Sequence, residues 1–87
     1  MAHLSEDLVA IRDSKGFTSA DIIQKTRIPA NVIREIENGT LFNQPENQRT
    51  YVRSFVRNYA KAIRIDDVHI VAALDDFYSE SGYHGSL

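Results

Sequence analysis

Apolar residues return along this chain at intervals of three and four, the repeat of an α-helix, and nowhere alternate over the length of a strand. Leu4, Leu8, Ile11 and Arg12 hold that register with Val9 beside them, which predicts a first helix over about Ser5 to Lys15. Ser5 reads as its N-cap, Glu6 and Asp7 as first-turn acids favoured by the helix dipole, and Gly16 as the residue beyond its end that accepts positive φ. Thr18, with Asp21 three residues on, opens a second helix to about Lys25 that buries Ile22 and Ile23. After Thr26-Arg27-Ile28, Pro29 suits the first turn of a third helix, about Pro29 to Asn38. Val32, Ile33 and Ile36 face inward on it, and Asn38-Gly39 stops it. Two short helices joined by about four residues form a helix-turn-helix.

A polar loop from Thr40 to Asn47 surrounds Pro45, with Leu41 and Phe42 placed to pin it to the core. A fourth and longest helix is predicted over about Gln48 to Arg64. A fifth runs from Asp66 as N-cap to about Tyr78, with Val68, Val71, Ala72, Leu74 and Phe77 available for burial. The expected fold is an all-α five-helix bundle containing a helix-turn-helix, with one domain over residues 1–78 and a disordered Ser/Gly-rich tail over 79–87.

Wound at about 100° per residue, the fourth helix gathers Val52, Phe55, Val56, Tyr59 and Ile63 into a core stripe. Arg49, Arg53, Arg57 and Lys61 recur every four residues, joined by Arg64, and are expected on the opposite side. Tyr51, Ser54 and Asn58 mark a seam between the two.

The charge distribution gives that stripe its interest. The net charge is −2, which argues against attraction of polyanions by the whole surface. Yet residues 48–64 hold five Lys/Arg and no acid, whereas residues 65–87 hold five acids and no Lys/Arg. The plain reading of the basic stripe is a solvated charged face. Against it, no acid within the helix neutralises the stripe at i,i+4, and aromatics flank it. Arginine beside tyrosine and phenylalanine is the composition of an interface anchor.

Eighty-seven residues allow one domain and little surface for an enclosed active site. There is no cysteine, and hence no disulfide or thiolate metal site. No apolar run approaches the roughly 20 residues that span a bilayer, and the N-terminus lacks a secretory pattern, so a soluble cytoplasmic protein is expected. His3 and His84 stand near the termini, His69 on the fifth helix beside Asp66 and Asp67. The adjacent Asp75-Asp76 pair projects in different directions and is unsuited to sharing a proton or a metal. With no phosphate loop, nucleophile elbow or metal-ligand spacing, no catalytic residue, metal or cofactor is expected.

Several strings together resemble the cytoplasmic helix-turn-helix domain of the RodZ family of bacterial cell-shape proteins, within the Cro/C1-type, lambda repressor-like superfamily. They are Gly16-Phe17-Thr18, Thr26-Arg27-Ile28, Ile36-Glu37-Asn38-Gly39, the stretch from Tyr51-Val52-Arg53-Ser54-Phe55 through Val56-Arg57-Asn58-Tyr59-Ala60-Lys61, and Ile65-Asp66. The fourth-helix string is the specific part. The resemblance implies binding to the actin-like filament protein MreB at the cytoplasmic face of the inner membrane, largely through this helix. Tyr51, Phe55, Arg53 and Arg57 occupy the matching positions, and Arg49 and Lys61 extend the same field. Family members reach the membrane through a following segment absent from this chain. The sequence departs from the family at Ile23, where a small residue is usual and wider spacing of the second and third helices is predicted. It departs again at Val32-Ile33, Gln44-Pro45, Ser54 and Arg64, the last two where glycine is common.

The rival reading is sequence-specific DNA binding through the third helix, by Arg27, Ala30, Asn31 and Arg34. Asn31 could read adenine and Arg34 guanine. Glu35 and Glu37 on the same helix are expected to repel phosphate. Membrane attachment through the fourth helix is disfavoured, since its apolar stripe is needed for the core.

Overall fold

The computed structural model describes residues 4–80. Five α-helices run in order: α1 Leu4–Ser14, α2 Ser19–Thr26, α3 Ala30–Asn38, α4 Arg49–Ala62 and α5 Asp67–Glu80. Two 3₁₀ turns, Thr40–Asn43 and Glu46–Gln48, fill the link between α3 and α4. The architecture is the expected all-α bundle, and none of the described helices is long and apolar enough to cross a membrane.

Local chemistry explains most of the boundaries. At α2, Thr18 accepts from the Asp21 amide while the Asp21 carboxylate accepts from the Thr18 amide, a reciprocal capping box. Bonding from Thr18, first from its backbone amide and then from its side chain, holds the Asp21 carboxyl below its ordinary range. Gly16 (φ +81°) and Gly39 (φ +87°) take the left-handed conformation beyond α1 and α3. The turn between α2 and α3 is built around Thr26, whose hydroxyl donates to the Ile22 carbonyl at 2.7 Å and accepts from the Ile28 amide at 3.0 Å. Pro29 is the N-cap of α3, one residue outside the helix.

The core joins all five helices. Leu8, Ile22, Ile33, Ile36, Val52, Val56, Tyr59, Ile63 and Leu74 are fully buried, and Leu41 and Phe42 fold the link onto them. The Phe42 and Phe77 rings meet at 5.0 Å. One polar cluster is set into this apolar mass. Glu37 on α3 accepts from Arg12 Nε on α1 (2.9 Å) and from the Tyr59 hydroxyl on α4 (2.6 Å). Arg12 also donates to the Phe17 carbonyl at 2.7 Å. Burial first, and then the bond to Glu37, push the Tyr59 phenol well above its usual range.

Three expectations need correction. Ser5 lies inside α1 and is not its N-cap; Leu4 is already helical because it packs on the core, and the Ser5 side chain abuts Gly39. The buried face of α5 comprises Ile70, Leu74 and Tyr78, with Ala73 and Phe77 half-buried, whereas Val68 is 74% exposed and Ala72 also faces out. Apolar residues surround α5, so periodicity singles out no face; contacts with Phe42 and α4 select it. Finally, α5 continues through Ser79 and Glu80 where a tail was expected, and residues 81–87 lie outside the described part.

Candidate functional site

Helix α4 carries its apolar stripe as the sequence implies: Val52, Val56 and Tyr59 are buried, Ile63 closes the helix, and Phe55 is half-buried against them. Tyr51 lies one turn before Phe55, further from the core. It is 50% exposed, and its ring meets that of Phe55 edge-on, with centroids 4.7 Å apart and planes at 80°. Phe55 is thus a prop rooted in the core, and Tyr51 an aromatic plate leaning on it. Two rotatable side-chain torsions, already restrained by this contact, leave little entropy to lose when a partner covers the ring.

The basic residues do not form the open face expected of them. Arg53 Nη2 meets Asp75 Oδ1 at 2.6 Å. Arg57 grips Asp67 with two bonds, Nε to Oδ1 and Nη2 to Oδ2, each 2.8 Å. The bond from Arg57 holds the Asp67 carboxyl below its ordinary range. Arg49 is half-buried at the edge of the core, its guanidinium 4.4 Å from the centre of the Tyr78 ring. The stripe therefore leans towards the flank of α4 that meets α5, where acids of the C-terminal block pair with Arg53 and Arg57. Lys61 is exposed and forms no ion pair with a described residue. On the helical repeat, Tyr51 and Arg53 project about 160° apart, so the two belong to opposite flanks of α4. Arg57 and Lys61 stay exposed on the outer surface that connects them, with Ser54 and Asn58 between.

The helix-turn-helix presents a second surface. Arg27, Ala30, Asn31 and Arg34 are all exposed. Asn31 and Arg34, three residues apart, share one side of α3. Arg27 holds left-handed backbone (φ +62°) in the turn, closing α2 by donating its amide to the Ile23 carbonyl at 2.8 Å. Glu37 is partly buried, its carboxylate held by Arg12 and Tyr59, and it lines a cleft between α2 and α3 beside Ala30 and Arg34. Ile23 is half-buried and lines the same cleft, of about 280 Å³, with Ile33 and Arg34. Of the histidines, His69 is exposed on α5, while His3 and His84 lie outside the described residues.

Residues 7–70 match the family model of a helix-turn-helix domain. The chain belongs to that family. The match runs from α1 through α4 into the first turn of α5, so both surfaces of this helix-turn-helix domain fall within it, along with the Arg57–Asp67 pair. Neither the comparison with curated proteins nor that with solved structures finds a match.

Asp67 and Asp75 escaped sequence reasoning as partners of the α4 arginines. The signal is the basic block followed by an acidic block, but i,i+4 spacing relates only acids on the same helix. Glu37 and Lys15 were missed as well. Lys15 Nζ donates to the Ile63 carbonyl at 2.8 Å, tying the end of α1 to the end of α4, where a cation also suits the helix dipole.

Proposed function

We propose that this helix-turn-helix domain is a non-enzymatic protein-docking module of the RodZ kind. It binds an MreB-like actin-family filament through the outer surface of α4, at the cytoplasmic side of the inner membrane. The observation that carries the reading is Tyr51, half-exposed and propped on Phe55. A large aromatic held rigid at a surface, with cations nearby, is the composition of an interface hot spot. The fourth-helix resemblance supplies the identity of the partner. Tyr51 and Phe55 are its anchor; Arg57 and Lys61 lie on the same outer surface, while Arg49 and Arg53 support it from the α5 side.

Co-sedimentation with polymerised MreB tests the proposal. Tyr51→Ala lowers filament affinity by roughly 1–3 kcal/mol with the fold intact. A folded Tyr51→Ala protein that pellets with filaments as the parent does would overturn it.

DNA binding by α3 is the second reading, favoured by one observation: Arg27, Asn31 and Arg34 meet solvent, and the charge of the neighbouring Glu37 is balanced by Arg12. Titration with mixed-sequence duplex at low salt separates the two. Tight, steeply salt-dependent binding, lost on changing Asn31 or Arg34, selects DNA.

A further inference from the structure

An open groove of about 990 Å³ runs along the outer surface of α4 to the start of α5. Arg53, Arg57, Lys61 and Arg64 follow one another along it, and Ser54, Asp66 and Asp67 line it with them. The two arginines nearest α5 are already engaged by its carboxylates. Lys61 and Arg64 are exposed and form no ion pair with a described residue.

Arg64 is an independent observation. It sits just beyond α4 with φ +66°, one of two non-glycine residues with positive φ among those described. An L-residue in this conformation is strained in a way that glycine avoids. The strained position therefore carries a cation, in the lining of a groove that holds three others.

We infer that this groove receives an acidic helical segment of a protein partner, and that Asp67 and Asp75 act as internal stand-ins for that segment's carboxylates. The inference rests on the docking reading and deepens it by naming the chemistry of the partner. The register supports a helix. Arg53, Arg57 and Lys61 rise about 6 Å per step, as do carboxylates four residues apart on a helix. Within the molecule α5 already offers carboxylates to this row, Asp67 to Arg57 and Asp75 to Arg53, eight residues apart where a matched helix would place them four apart. These exposed, solvent-screened ion pairs are weak enough to exchange. Asp66 and Asp67 in the lining interrupt the cations and disfavour a continuous polyphosphate or an anionic lipid surface. Discrete carboxylates can meet the cations one by one.

The test is a titration of the whole chain, followed by backbone amide NMR. The probes are a soluble helical peptide with glutamate at every fourth position, a mixed-sequence 20-base-pair duplex, and phosphatidylglycerol vesicles. The peptide is expected to move amides of α4 and residues 64–67. Lys61→Ala with Arg64→Gly weakens it about three- to tenfold, although Arg64→Gly relieves the strained backbone and raises the melting temperature. Asp67→Asn with Asp75→Asn strengthens it severalfold by removing the internal competitors. Absence of peptide binding overturns the inference, as does an Asp67→Asn/Asp75→Asn protein that binds no better, or a duplex or vesicle bound more tightly than the peptide. The two readings fail separately. Filaments that bind through Tyr51 while the peptide does not bind leave docking standing and remove the groove; peptide binding with Tyr51→Ala indifferent to filaments removes the Tyr51 anchor.

Discussion

The hydroxyl of Tyr59 on α4 donates to the Glu37 carboxylate on α3 at 2.6 Å, and so joins the helix that bears one candidate surface to the helix that bears the other. Arg12 secures the same carboxylate oxygen from α1. Three helices are thus located by one partly buried charge cluster, in which Tyr59 is fully buried while Arg12 and Glu37 keep some exposure.

Removing the carboxylate is accordingly the most damaging change at this cluster. Glu37→Ala leaves the Tyr59 hydroxyl without its acceptor and Arg12 with only Asp13 and the Phe17 carbonyl, and is expected to cost about 2–4 kcal/mol. Tyr59→Phe deletes one bond to a charged group and leaves Arg12 paired, at about 1.5–3 kcal/mol. Urea denaturation of the two variants and the double variant measures both; the pair should be non-additive, since the partners share one site.

Tyr51 and Phe55 touch each other but differ in what they support. Phe55→Ala opens space against the core and is expected to destabilise the fold by about 1–3 kcal/mol, less than a fully buried phenylalanine. Tyr51→Ala changes stability by no more than about 0.5–1 kcal/mol, because half of the ring already faces water. Thermal melts of both variants, beside their filament affinities, show whether binding tracks Tyr51 itself or only the fold beneath it.

Acid should weaken the domain through identifiable groups. Asp21 and Asp67 both have carboxyl pKa values depressed below the ordinary 3.8, Asp21 by the Thr18 bonds and Asp67 by Arg57. A depressed folded-state value means that the unfolded chain binds protons first, so their stabilisation is present above 3.8 and disappears as pH falls through the lower folded-state values. Asp21→Asn removes one of these titrations. Its denaturation midpoint should fall less than the parent's between about pH 6 and about pH 3.

Gly39 admits no side chain cheaply. Its φ is +87°, and a Cβ there would stand 3.2 Å from the Ser5 hydroxyl. Gly39→Ala is expected to cost about 1–2 kcal/mol from the backbone alone, read as a lower melting temperature. Ser5→Ala removes the crowded oxygen and should recover only the steric part.

The sequence by itself determined what depends on near neighbours. The helices of the repressor-like unit were legible in periodicity and punctuation: Thr18 with Asp21, Gly16, and Asn38-Gly39 act within a turn or two of their own position. The inward side of α4 was legible because that helix is strongly amphipathic. Tertiary structure alone decided matters that depend on residues far apart in the chain. It turned α5 so that Ile70 and Tyr78 went inside and Val68 outside, a choice open to a helix apolar on every side. It brought Asp75 to Arg53 and Asp67 to Arg57, filling a stripe that looked vacant when only its own helix was considered. It also paired Glu37 with Arg12 and Tyr59, residues of two other helices. A charge on one helix has an identifiable side, but whether it meets water, a partner or its opposite depends on which other helix packs there, and that is settled only when the core closes.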